Sequence, residues 1–304
     1  MKRTIRRILL AVRDTEQVPA AALAKAAAIA RGTGAALELF HVIGEPLLRP
    51  RGRRAQQQAP AQVRNQVLAE HRERLVALAA SREFAGLDVQ CAAEWDFPPY
   101  EGIVRRALET GADLVIAQLQ KHPLLSRALL AHADWELVRT CPCPLLLVRS
   151  RTPYKRPLIL AAVDPLHERD KPARLDAAIL RLGGELEAAL GGVQHSFHAW
   201  MPLSLQVPVS AAEPLGGWVS ESAEKKYHER TRRTFERVSR AARIAAARQH
   251  LVEDILAAPC WSSAAELGAQ IVVMGADRAA ASRACCSATL RGRSSRTSPA
   301  TCWS

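Results

Sequence analysis

The sequence predicts an α/β protein of two tandem, doubly wound, Rossmann-like parallel-sheet domains, the second incomplete at its C-terminus. Three observations predict it. Short apolar runs rich in β-branched residues alternate with stretches of helical period, the signature of βαβ units around a parallel sheet. The stretch Gly268-Ala269-Gln270-Ile271-Val272-Val273-Met274-Gly275-Ala276 reads as a buried central strand opening into a tight turn, and Glu109-Thr110-Gly111-Ala112-Asp113-Leu114-Val115-Ile116-Ala117 has the same shape. The whole order of elements then restarts at an offset of about 150 residues, which marks one small domain used twice.

In the first half, Ile8 to Val12 is a strand and Ala20 to Arg31 an alanine-rich helix stopped by Gly32-Thr33-Gly34. Ala36 to Ile43 is the second strand. A loop with Pro46, Pro50 and the arginines from Arg51 to Arg54 follows, and then a helix from Ala61 to Ser81 with Val63, Val67, Leu68, Leu75 and Leu78 at helical spacing. Leu87 to Ala93 is the third strand. Pro98-Pro99 opens a helix through Leu108, since proline suits a first turn. Asp113 to Ala117 is the fourth strand, Leu124 to Thr140 a helix, and Pro144 to Val148 the fifth strand.

Arg149 to Arg156 is the linker. Arg156 to Asp164 then echoes Arg6 to Asp14, Ala173 to Leu190 is a helix ended by Gly191-Gly192, and Val193 to Trp200 alternates as a strand. Met201 to Gly217 reads as a loop, Ser222 to Gln249 as a long basic helix, and His250 to Glu253 as the start of a third strand before the fourth at Ile271. The domains are therefore residues 1–150 and 157–276, with 277–304 a basic tail.

The chain has 304 residues, enough for two domains that each bury a core, and its 48% apolar content is ordinary for a soluble protein. No run approaches a membrane span, and Met1 to Arg7 leads into a strand pattern rather than a signal sequence, so a cytoplasmic location is expected and no membrane partner. Lysine and arginine exceed acids by 42 to 30, giving +12. That charge is spread along the chain and reads as a solvated surface rather than a nucleic-acid face; the best candidate for such a face is Lys225 to Arg248, with Tyr227 and Phe235 interleaved. Of seven cysteines, Cys141-Pro142-Cys143-Pro144 leads straight into a strand, where small buried side chains explain it, and no further Cys or His lies at metal-ligand spacing. His41, His195 and His198 lie in strand patterns and read as structural.

The two strand openings Ile8-Leu9-Leu10-Ala11-Val12 and Leu160-Ala161-Ala162-Val163-Asp164, the Gly-Ala-Asp/Gln before each fourth strand, and the closing stretch Ala133 to Pro144 resemble the universal stress protein family, and the tandem arrangement its E-type branch. The resemblance covers residues 1 to about 276. It implies a non-catalytic stress-response protein acting by ligand binding or protein association. It also implies that the two domains pack as family dimers do, with a homodimer as a further possibility. Nucleotide-binding members carry an aspartate ending strand one and a glycine-rich turn after strand four, where backbone N–H groups approach the phosphates. The second domain starts that site with Asp164 and the turn Met274, Gly275 and Ala276. In the first domain Gln118-Leu119-Gln120-Lys121-His122-Pro123-Leu124 has no glycine, so no ATP site is expected there. The alternatives are a small-ligand binder using the glycine-free crevice, for a nucleotide or an apolar or acyl ligand, and a nucleic-acid-associated basic protein.

The tail departs from all of this. From Asp277 to Ser304 there is no helical or strand period, five arginines and no further acid. A shift of one base lets the codons of Cys285 to Ser304 spell Leu-Leu-Phe-Gly-Asn-Ala-Ala-Gly-Pro-Val-Ile-Glu-Asp-Ile-Pro-Gly-Asp-Leu-Leu-Val, which supplies the missing turn, helix and fifth strand. The expectation is a frameshift near Ala276, with a compensated pair bracketing residues 254–263. As written, the tail should be disordered, the fourth strand should lack a neighbour, and no cofactor is expected, ATP entering only if the frame is restored.

Overall fold

A computed structural model describes residues 5–44, 61–118, 132–149, 152–166, 174–206, 219–253, 259–275 and 301–303. In the first repeat β1 (Arg7–Ala11), α1 (Ala20–Thr33), β2 (Ala36–Ile43), α2 (Ala61–Ala79), β3 (Val89–Trp95), α3 (Pro99–Thr110), β4 (Leu114–Gln118), α4 (His132–Thr140) and β5 (Leu145–Val148) alternate as expected. The second repeat has β6 (Leu158–Ala162), α5 (Leu175–Leu190), β7 (Val193–Trp200), α6 (Leu203–Gln206), α7 (Glu221–Ala241), β8 (Gln249–Glu253), α8 (Pro259–Glu266) and β9 (Ile271–Met274). A three-residue strand, β10 (Thr301–Trp303), closes the order.

The first five strands lie in the order β3-β2-β1-β4-β5 and the next four as β9-β6-β7-β8, every pairing within each set parallel. Chain order reverses beside β1 in the one and beside β6 in the other, which makes the carboxyl ends of β1 and β4, and of β6 and β9, the two switch points. The central strands are buried on both faces, as a sheet covered by helices requires: Leu9, Leu39, Ile116, Leu146, Ile159, Leu160 and Val273 are all in the core.

The repeated entry to strand four has the same geometry twice. Gly111 and Gly268 adopt φ of 62° and 68°, a left-handed turn that a side chain disfavours, and the residue two further on, Asp113 or Gln270, donates its N–H to the first strand at Arg7 O or Leu158 O, both at 2.9 Å. Asp113 adds more, because its Oδ2 accepts from the N–H groups of Arg6 and Arg7. The two repeats meet through α1 and α5. A Cβ on Gly32 would lie 1.9 Å from the carbonyl oxygen of Ala189, so only glycine admits this approach. The core runs through the contact, joining Ile29 and Ala30 to Ile179, Leu182 and Leu186 in one cluster.

Three expectations change. The long basic helix ends at Ala241 rather than Gln249: Arg243 turns left-handed at φ 62°, Ile244 is buried, and Gln249 Nε2 donates to the Ile244 carbonyl, so the chain turns to enter β8 one residue early. A short helix, α6, stands at the start of the predicted 201–217 loop, and the Glu224 carboxylate accepts from its first two N–H groups, at Leu203 and Ser204. The fourth strand of the second repeat, β9, does not lack a neighbour, because β10 lies between β9 and β5. It runs antiparallel to β9 and parallel to β5. Since β4 and β5 are parallel, β10 occupies the place of a fifth strand in the opposite direction. Residues 277–300 and 304 lie outside the described residues.

Candidate functional site

The backbone at the end of each first strand is built identically. Val12 donates its N–H to Phe40 O at 2.8 Å, and Val163 donates to Phe197 O at 2.9 Å. The next residue on the second strand is a histidine in both repeats: His41 Nδ1 lies 2.8 Å from Val12 O, and His198 Nδ1 2.9 Å from Val163 O. A carbonyl oxygen only accepts, so in each ring Nδ1 carries the proton. Burial holds the His41 pKa below the usual range, against the opposing pull of the Val12 carbonyl, and the ring stays neutral. Two of the three histidines placed in strands by sequence, His41 and His198, are thus structural pins at equivalent positions, while His195 stacks on His250 at 5.1 Å.

This equivalence shifts the expected register by one residue. Asp164 follows Val163, so its counterpart after Val12 is Arg13, and Asp14 stands one place further along. Asp14 has local work instead: its Oδ1 accepts from the N–H groups of Glu16 and Gln17, at 2.8 and 3.2 Å, forming the turn that leaves β1. The first repeat therefore presents a cation where the second presents an acid.

Beyond this turn opens a crevice of about 630 Å³ at the carboxyl ends of β1, β2 and β4. Phe40, Val42, Pro99, Tyr100, Ile103 and Leu137 supply apolar surface, and Thr15, His71, Arg74 and Asp134 line it with polar groups. Two residues of α2 reach the rim from one helix face. His71 Nδ1 lies 2.9 Å from Thr15 Oγ1 and its ring stacks on His41 at 4.6 Å, while Arg74 pairs with Glu16 at 3.1 Å. Sequence reading missed both, although their spacing of three on a helix was a usable signal. Gln118 ends β4 at the crevice; the turn after it, with Lys121 and His122, lies outside the described residues.

In the second repeat the pairing of Ala161 with Val273 brings the ends of β6 and β9 side by side, so Asp164 and the Met274-Gly275 pair occupy one switch point. The Asp164 N–H donates to Asp176 Oδ1 at 3.1 Å, and its carboxylate stands 3.9 Å from His198 Nδ1 with its side chain 45% exposed. Gly275 is closely covered, since an added Cβ would lie 2.8 Å from Leu175 Cδ2. Ala276 lies outside the described residues. A separate open groove of about 370 Å³ lies against α7, where Trp200 stacks on His228 at 4.6 Å beside Glu224 and Glu253.

Three of the five arginines of the basic helix α7 pair within the helix. Arg232 bonds Glu229 and Glu236, Arg233 bonds Glu229, and Arg240 bonds Glu236 at 2.7 Å. The two arginines hold the Glu229 carboxyl down to about 2. Such i,i+3 and i,i+4 pairs are those of a solvated helix face.

A doubly wound parallel sheet with a crevice at its switch point is the architecture of a small-ligand-binding α/β protein. Residues 4–149 match the family model described as the universal stress protein family, so the first repeat is a universal stress domain. The chain is similar in sequence to the E type. It is 28% identical over 102 residues to Universal stress protein E of Photorhabdus laumondii and 30% identical over 67 residues to that of Escherichia coli K12. These matches cover 34% and 22% of this chain, and only 32% and 21% of the relatives' own length. A universal stress protein from Pseudomonas aeruginosa UCBPP-PA14 has a similar structure, with TM-score 0.60 and 22% identity over 87% of this chain and 80% of that one. One from Archaeoglobus fulgidus DSM 4304 has TM-score 0.55 and 12% identity over 97% and 95%. These likenesses show the fold. Among the described residues no helix is long and apolar enough to cross a membrane.

Proposed function

We propose that this protein is a non-catalytic, cytoplasmic stress-response protein of two universal stress domains, residues 1–150 and 157–276, which acts by binding a small ligand in the first domain's crevice and by association. The observation that carries the reading is that crevice, whose volume suits a small organic ligand and whose wall is mainly apolar. Arg13, rather than an acid, follows strand one there. Arg13 and Arg74 give an acyl ligand's single anionic end a partner, while the carboxylates of Asp14, Glu16 and Asp134 in the same lining oppose the several charges of a nucleoside triphosphate. The hydroxyl-to-imidazole contact of Thr15 and His71 resembles a nucleophile and its base, yet Thr15 is only 6% exposed and the contact ties α2 to the β1 turn.

The test is equilibrium binding to the full chain with two probes, a fluorescent long-chain fatty acid and ATP. Saturable fatty-acid binding, weakened about tenfold or more by Ile103→Glu on the apolar wall, is expected, with no comparable ATP binding. Failure of the fatty acid to bind, or equal binding by the variant, overturns the reading.

A second reading is a nucleotide site in the second domain at Asp164, Met274, Gly275 and Ala276. The adjacency of Asp164 to Gly275 favours it. It would become complete only with a restored frame beyond Ala276, and ATP binding by the restored protein, lost on Asp164→Ala, tests it. Nucleic acid is not a proposed partner: Arg232, Arg233 and Arg240 of α7 are engaged by Glu229 and Glu236 of the same helix, and Phe235, one of the two interleaved aromatics, is buried.

A further inference from the structure

The elements around the first domain's crevice line it unevenly. Helices α3 and α4 give Tyr100, Ile103 and Leu137, an apolar wall, whereas the β1 turn and α2 give Glu16 and Arg74. Those two meet as an ion pair, Arg74 Nη1 to Glu16 Oε1 at 3.1 Å, with side chains 41% and 65% exposed. Thr15 and His41, both 6% exposed, lie deeper, so the pair stands at the rim. The backbones that carry it are held firmly. Asp14 Oδ1 accepts from the N–H groups of Glu16 and Gln17 and so sets the turn. Helix α2 is seated by the fully buried Leu75 and by the contact of His71 Nδ1 with Thr15 Oγ1 at 2.9 Å. An ion pair this exposed is weak, because water solvates both ends and competes with it.

We propose that the Glu16–Arg74 pair is the specificity element of the crevice: the carboxylate of an acyl ligand takes the place of Glu16 on the Arg74 guanidinium, and Glu16 turns to solvent. The inference rests on the small-ligand reading of the crevice and adds to it the residue that chooses the ligand's end group. A chain ending in one carboxylate is preferred over a neutral chain of the same length.

Exchange, rather than simple addition of an anion, follows from the charges. The carboxylates of Asp14, Glu16 and Asp134 outnumber the guanidiniums of Arg13 and Arg74 by one in the lining, so an added anion enters a site that already opposes it. Replacing Glu16 by a ligand carboxylate leaves that balance as it was. The preference for the ligand comes from its chain, which lies on the apolar wall and holds the carboxylate beside Arg74. The planar fork of a guanidinium then bonds both carboxylate oxygens. Glu16 gives up little on release, because it is already largely in water. A triphosphate cannot use the same exchange, since it brings several charges for the one displaced.

The experiment is equilibrium dialysis of radiolabelled dodecanoic acid and dodecanol against the full chain and its variants at pH 7.5. The unaltered protein should bind the acid about tenfold or more tightly than the alcohol. Arg74→Gln should weaken the acid about tenfold and leave the alcohol unchanged. Glu16→Gln removes the competing carboxylate and should tighten the acid about two- to fivefold without changing the alcohol, a gain that misfolding cannot imitate. Equal binding of acid and alcohol, with both weakened by Ile103→Glu, leaves the apolar crevice standing and overturns the exchange. Loss of acid binding on Arg13→Gln but not on Arg74→Gln overturns it too, as does the absence of any gain in Glu16→Gln. If neither probe binds, the small-ligand reading fails and the exchange falls with it.

Discussion

Two buried charges show how single residues set the stability of this chain. Lys25 on α1 is 1% exposed, with its ammonium 4.6 Å from the centre of the Tyr154 ring, and burial lowers its pKa to about 8. The folded state therefore releases this proton at lower pH than the unfolded chain does, and between about 8 and 10.5 the unfolded chain binds more protons. Stability should rise across that window and be insensitive to Lys25 below it. Denaturant midpoints at pH 7.5, 9 and 10 check the slope, and Lys25→Met should remove this group's share of it. Glu38 is the opposite case, a carboxylate on β2 buried to 8% exposure under α3 and bonded by Arg106 Nε and Nη2. Arg106→Ala strands that carboxylate and should cost about 3 kcal/mol of unfolding free energy, measured by urea titration, whereas Arg105→Ala on the more exposed neighbour should cost under about 1 kcal/mol. Composition alone marks neither Lys25 nor Glu38 as special, because burial of a charge is decided by what packs over it.

Among the elements, α1 and α5 matter most, because they join the two repeats. The carbonyl of Ala189 fills the space where Gly32 has no side chain, so Gly32→Val must push the helices apart. A loss of about 1–3 kcal/mol is expected. Unfolding should also separate into two transitions, seen by calorimetry, as the repeats stop supporting each other; one unshifted transition would contradict this packing. Most elements were readable from sequence because β-branched runs and helical spacing are local signals, and the bounds of β2 and β7 agree to the residue. The end of α7 was not readable. Its basic residues continue past Ala241 with good helical propensity, but burial of Ile244 and the turn at Arg243 override it. The two switch points were legible only in part. Asp164 and Gly275 could be named from the repeat, whereas Arg13 as the true counterpart of Asp164, and the approach of His71 and Arg74, required the pairing of β1 with β2 and the seating of α2.

For the whole molecule the open question is the C-terminus. The repeat calls for a fifth strand parallel to β9, as β5 is to β4, yet β10 runs antiparallel to it. We propose that a frameshift near Ala276 underlies both the tail's composition and that reversal. Sequencing the coding DNA from the Gln249 codon past the stop should reveal an inserted or deleted base, and an independently supported intact frame would remove this explanation. The restored protein should then unfold at a higher temperature, since a full-length strand would pair with β9 in place of three residues. The sequence by itself determined the duplication, the order of elements along each repeat, and the turns after the two fourth strands as candidate sites, because periodicity and the duplicated Gly-Ala-Asp/Gln entry are written in local residue order. Only the tertiary structure decided the order of the strands across each sheet, which charge stands at the first switch point, and which helices join the repeats. Those facts depend on register, close approach and burial, which arise between segments distant along the chain.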